Sequence, residues 1–134
     1  MTKIISVSGK RKRAIASATV QEGKGSVRIN RHPLESYPYP IQMHRIEEAL
    51  ILAGDLSKAV DINVTVRGGG FSSQAEAVRL SIAKGLVQFS KDKSLKDSYL
   101  AYDRHLLVAD VRRKEPRKPN RHSKARAKVQ KSYR

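Results

Sequence analysis

Apolar residues change their spacing along this chain, and each change marks an element. In VDINVTV, residues 60–66, Val60, Ile62, Val64 and Val66 alternate with Asp61, Asn63 and Thr65, the period of a strand with one buried face. KIISVS and RAIASATV are β-prone stretches separated by the basic run 9–13, and the second leads through QEGKG into SVRIN. Those last two stretches are predicted to pair as a hairpin, with Gly23 and Gly25 supplying turn backbone. HPLESYPYP, with three prolines in nine residues, forms no regular element, and Pro40 suits the first turn of a following helix.

Helical periods follow. In IQMHRIEEALILAG, Ile46, Ala49, Leu50 and Ala53 share one face, and Gly54 is a natural stop. Beyond the glycine run, Val78, Ile82, Leu86 and Phe89 mark a helix face that Leu80, Ala83 and Val87 broaden, so this helix is expected to be the central and most buried one. Ser73 with Glu76 reads as a capping box, and Ser94 with Asp97 repeats the pattern on a shorter helix. HLLVAD is the last apolar segment. The order predicts an α+β domain, a mixed sheet with helices packed on one face.

Charge divides the chain further. Lys and Arg number 28 against 12 acids, a net +16 that favours a polyanionic partner, nucleic acid before an anionic membrane. The first 13 residues hold five cations and no acid, and residues 111–134 hold eleven cations and one acid, Glu115. Between them twelve cations face eleven acids, so the middle is almost neutral. The expected organisation is a globular domain over residues 1–110, with a basic arm at 9–13, followed by an extended basic tail over 111–134. That tail, interrupted by Pro116 and Pro119 and poor in large apolar residues, cannot offset its own ordering entropy by burial.

The longest apolar run, ALILA, is too short to span a bilayer, and the N-terminus lacks a signal-peptide pattern, so a soluble, non-secreted protein is expected. A membrane-surface helix would want large apolar residues opposite its cations, and KARAKVQK has alanines and one valine. With no cysteine and four scattered histidines, neither disulfides nor a metal site are expected.

The glycine run in RGGGFSSQA lies between a predicted strand and helix. Arg67, Gly68, Gly69 and Gly70 could form a structural turn, an RNA-backbone contact or a nucleotide cradle, although no Walker Lys-Ser/Thr and no dinucleotide fingerprint follows. Ser72 and Ser73 have no evident base nearby, so no catalytic site is expected, and the carboxylates are read as pairing with bases beside them, Glu47 and Glu48 with Arg45, Asp97 with Lys96. Seven aromatics are too few for a sequence-reading strand binder and favour shape-and-phosphate recognition of folded RNA, with Tyr133 a lone stacking candidate.

Five stretches, GKRKRAIASATV, GKGSVRIN, RGGGFSSQAEAVRLSIAKGL, YDRHLLVADVRRKEPRKP and KARAKVQKSYR, occur in an order and separation that resemble the family of small-subunit ribosomal protein nine, in its archaeal and eukaryotic form. The resemblance spans almost the whole chain; Val111 stands where a proline is common, and PNRHS replaces a glycine-containing turn. It implies a β-α-β-α domain with a left-handed crossover, like the second domain of ribosomal protein S-five. It further implies a cytoplasmic, non-catalytic constituent of the small-subunit head, with no cofactor or small-molecule substrate, among neighbouring head proteins. By the same resemblance Lys10, Arg11, Lys12 and Arg13 would grip ribosomal RNA. Arg112, Arg113, Lys114, Arg117, Lys118, Arg121, Lys124, Arg126 and Lys128 would line an RNA channel, and Lys131, Ser132, Tyr133 and Arg134 would reach transfer RNA in the peptidyl site. Small-molecule kinases share that superfamily and grip ATP with a comparable loop, so a phosphoryl-transfer enzyme is one alternative. A free basic nucleic-acid-binding protein is the other.

Overall fold

The computed structural model describes residues 3–121 together with 125 and 126. Five strands, β1 (Ile4–Arg11), β2 (Ala14–Glu22), β3 (Val27–Ile29), β4 (His32–Pro33) and β5 (Val60–Arg67), form one mixed sheet in the order β1-β2-β5-β3-β4. Four helices accompany them: α1 (Pro40–Ala53), α2 (Asp55–Lys58), α3 (Phe71–Ser90) and α4 (Lys93–Tyr102). The α+β class expected from the hydrophobic periods is the one observed.

The hairpin falls elsewhere than predicted. It joins β1 to β2, with Arg11 opposite Ala14 and the basic residues Lys12 and Arg13 as its turn. β5 lies between β2 and β3, antiparallel to the first and parallel to the second. The QEGKG segment therefore wraps around the start of β5 instead of reversing onto its neighbour. The Asp61 carboxylate accepts hydrogen bonds from the amides of Lys24 and Ser26, each at 2.9 Å, and these bonds hold its pKa below the ordinary carboxylate value. A side chain at Gly23 would overlap that carboxylate.

Alternation decides which face is covered. Ala14, Ala16, Ala18 and Val20 of β2 and Val60, Ile62, Val64 and Val66 of β5 are buried, and α3 packs across β1, β2 and β5 on that side. The β2 residues are small, which lets the helix sit close. A Cβ at Gly9 of β1 would stand 2.5 Å from the Ala77 carbonyl oxygen of α3, so glycine is the residue this approach admits. Ile46, Ile62, Ile82, Leu86 and Leu106 are fully buried, each contributing about 1.5–3 kcal/mol relative to exposure. α3 is the central helix, as its period predicts.

The second helical layer is tied by a buried polar contact. Tyr99 of α4 is fully buried and its hydroxyl donates to the Ala49 carbonyl of α1 at 2.7 Å; burial pushes the phenol pKa up. Pro40 opens α1 and Gly54 ends it, as expected. Neither predicted capping box forms. Gly70 occupies the N-cap of α3, which leaves Ser73 inside the first turn and frees Glu76 for other partners. At α4 the cap is Asp92, whose carboxylate accepts from the Ser94 amide. From Asp110 to residue 121 the chain has no helix or strand, and residues 111–121 are exposed.

Candidate nucleic-acid interface

Three segments far apart in sequence meet at one end of the sheet. The first is the β1–β2 turn, where Lys12 takes a left-handed φ of 53° and both Lys12 and Arg13 are exposed. The second is the glycine loop after β5. Gly68 and Gly69 have φ of 78° and 67°, and a Cβ on Gly68 would lie 2.7 Å from the Arg13 carbonyl oxygen. Glycine there is demanded by packing against the hairpin, which gives the run a structural cause. Gln74 fastens the loop from within α3, donating to the Gly68 carbonyl at 3.1 Å.

The third segment is the root of the tail. Arg112, Arg113, Lys114 and Arg117 join Arg11, Lys12, Arg13, Gly69, Gly70 and Ser73 around an open groove of about 1110 Å³. The start of α3 lines the same groove without a side-chain cap, so its first-turn amides add partial positive charge. Seven cations line the groove; Arg11 and Arg112 are engaged by other carboxylates, and the remaining five face one, Glu115, whose pKa a hydrogen bond from Arg126 draws down, the Arg126 Nε lying 3.0 Å from it. The arrangement suits the phosphodiester backbone of a nucleic acid.

Arg11 stands apart from its neighbours in the basic run. Its Nε lies 2.6 Å from Glu76, a second nitrogen meets Asp110, and its side chain is only 15% exposed. Asp110 in turn receives Arg112 at 2.7 Å, and these arginines hold its carboxyl well below the usual range, Arg112 foremost. Arg45 reaches Glu76 at 3.0 Å, and Arg79 bridges Glu48 at 2.8 Å and Asp103 at 3.1 Å. Glu48 thus pairs across the fold with Arg79 of α3 and not with Arg45, and among the described residues Asp97 makes no ion pair with Lys96. Glu47 binds His44 at 2.9 Å instead of Arg45.

The remaining predicted residues divide in three. Lys10 and Arg67 point to the uncovered side of the sheet, where both neighbour Ile15. Lys118 and Arg121 are exposed beyond the groove. Lys124, Lys128, Lys131, Ser132, Tyr133 and Arg134 lie outside the described residues. Aromatic composition alone does not point to a surface pair: Phe71, directly after the glycine loop, and Tyr39, just before α1, both about half exposed, stack with ring centroids 4.8 Å apart. Among the described residues no cluster of three metal-ligating side chains occurs, and no helix is long and apolar enough to cross a membrane.

A near-neutral α+β body whose hairpin, glycine loop and tail root converge on one cationic groove defines a small module built to meet a polyanion. The family model described as "Ribosomal protein S9/S16" matches residues 9–134, and the chain belongs to that family. It is a structural ribosomal protein.

Proposed function

We propose that this protein is a constituent of the small-subunit head that binds small-subunit ribosomal RNA through the groove and extends its tail to transfer RNA in the peptidyl site. The observation carrying the RNA reading is the convergence of Lys12, Arg13, Arg112, Arg113, Lys114 and Arg117 on the uncapped start of α3. In this reading Gly69 and Gly70 bring backbone amides to phosphate. Arg11 acts by fixing the hairpin against α3 and the tail root, and Lys118, Arg121, Lys124, Arg126 and Lys128 continue the path. Lys10 and Arg67 contribute from the sheet side. Lys131, Ser132, Tyr133 and Arg134 meet the transfer RNA, where the terminal cations neutralise phosphates. The working place is the cytoplasm, among other proteins of the head, with no chemistry of its own.

Removing residues 129–134 tests the tail. Subunits carrying the truncated chain are expected to assemble normally and sediment as wild type, yet to lose peptidyl-site transfer RNA faster in a filter-binding chase. Unchanged retention would refute the tail's role. Failure of the full-length chain to co-sediment with small subunits at moderate salt would instead favour a free nucleic-acid binder.

A further inference from the structure

The helices cover one face of the sheet, and among the described residues nothing covers the other. The register places side chains on that open face in rows: Lys10, Ile15 and Arg67; Ser8, Ser17 and Thr65; Ser6, Thr19, Asn63 and Arg28. Hydroxyls and an amide therefore fill the middle, and cations stand at its margins. The acid of this face, Asp61, stays ionised, held by the amides of Lys24 and Ser26 and within electrostatic reach of Arg28, so Lys10, Arg28 and Arg67 outnumber it three to one.

A strained residue adds to this. The turn between β3 and β4 has Asn30 at φ 50° and Arg31 at φ 71°. Two left-handed residues make the tight hairpin turn in which glycine is the usual second residue, so an arginine there is held at some conformational cost. The turn is pinned. Asn30 gives its side-chain amide to the Val66 carbonyl at 3.2 Å and accepts from the Val66 amide at 2.9 Å, extending the edge of β5. Arg31 is thereby presented, exposed, at the end of β5 that carries Arg67.

We propose that this uncovered sheet face is a second RNA-binding surface, separate from the groove, with Arg28, Arg31 and Arg67 as phosphate contacts and the serine and threonine rows as hydrogen-bonding partners. The occupant is RNA because the net charge on the face is positive even with Asp61 ionised, its centre is polar, and Arg67 runs straight into the glycine loop that borders the groove. The proposal rests on the RNA-binding reading above. One RNA can then be held on two sides of the hairpin end.

Full-length protein and transcribed small-subunit ribosomal RNA, titrated across a salt series, provide the test. The double variant Arg28→Ala, Arg31→Ala should lower the slope of log K against log salt by about 0.7–0.9 for each phosphate that is no longer neutralised. The decrease should add to that of a groove variant, Arg113→Ala with Arg117→Ala. A sheet variant with wild-type slope overturns the proposal, and if it also leaves the subunit in sedimentation, the face belongs to a protein partner. A groove variant with wild-type slope beside a weakened sheet variant would sink the groove reading and leave this one standing. Arg31→Gly separates strain from binding: its Tm should rise by several degrees while RNA affinity falls as in Arg31→Ala. Undiminished affinity in Arg31→Gly would remove Arg31 from the surface and overturn the assignment.

Discussion

Two arginine-rich regions meet at Arg11 and behave in opposite ways. On one side Arg11, Arg45 and Arg79 are threaded among Glu48, Glu76, Asp103 and Asp110, so their charge is consumed inside the molecule. On the other, Lys12, Arg13, Arg113, Lys114 and Arg117 surround a groove with Glu115 as its one acid, and that acid is paired with Arg126. Arginine stands on both sides. What differs is the company that the fold supplies: carboxylates from α1, α3, the end of α4 and the tail root in one case, backbone amides and solvent in the other. An arginine's role as strut or as ligand is settled by the nearest carboxylate.

Neutralising the groove should produce the largest effect. With Lys12, Arg13, Arg113 and Lys114 all changed to glutamine, four phosphates keep their counterions, and the salt slope for ribosomal RNA should fall by about three units, at 0.7–0.9 per phosphate. Thermal stability should stay within about 0.5 kcal/mol per site, since these side chains are exposed and support no core. A variant that unfolded instead would show that the groove cations are also struts.

Glu76→Ala should do the reverse. It takes from Arg11, whose side chain is mostly buried, one of its two carboxylates, Asp110 remaining, and removes the partner of Arg45, at an expected cost of about 1–2 kcal/mol seen in urea unfolding. RNA affinity of the folded fraction should be nearly unchanged. If affinity fell as steeply as in the groove variant, the two regions would not be separable.

How far the sequence foretells this follows the range of each interaction. β5, α1 and α3 are legible because their periods report burial along a single element: the alternation from Val60 to Val66 and the face from Val78 to Leu86 are both buried as predicted. Strand order is not. β2 and β3 are consecutive and glycine-linked, which mimics a hairpin, and the ladders that put β5 between them, with the bonds from Lys24 and Ser26 to Asp61, join residues far apart in sequence. The cationic segments are visible as composition, and their meeting at one groove is not, because that depends on Gly68 nesting against Arg13. Arg11 groups with its neighbours in the sequence because a run of cations reads uniformly until Glu76, 65 positions away, arrives beside it.

The boundary between the two regions is Asp110, and it yields the smallest and most specific prediction. Asp110 joins Arg11, a strut, to Arg112 at the tail root, and its carboxyl titrates well below the usual range because both arginines favour its charged form. A folded pKa below the unfolded value means that the ionised carboxylate stabilises the fold above pH of about 4 and that this stabilisation drains away as pH falls towards the lower folded value. Asp110→Asn removes the titration. Its unfolding midpoint should therefore lie below wild type at neutral pH, and the two should converge as the solution is acidified past that window. The tail root would also lose its anchor to the hairpin, so backbone amides of residues 110–114 should exchange faster in the variant while those of β1 and α3 stay protected. Parallel pH profiles for the two proteins would mean that Asp110 is solvated and the clasp idle, leaving the groove free to change shape without its RNA.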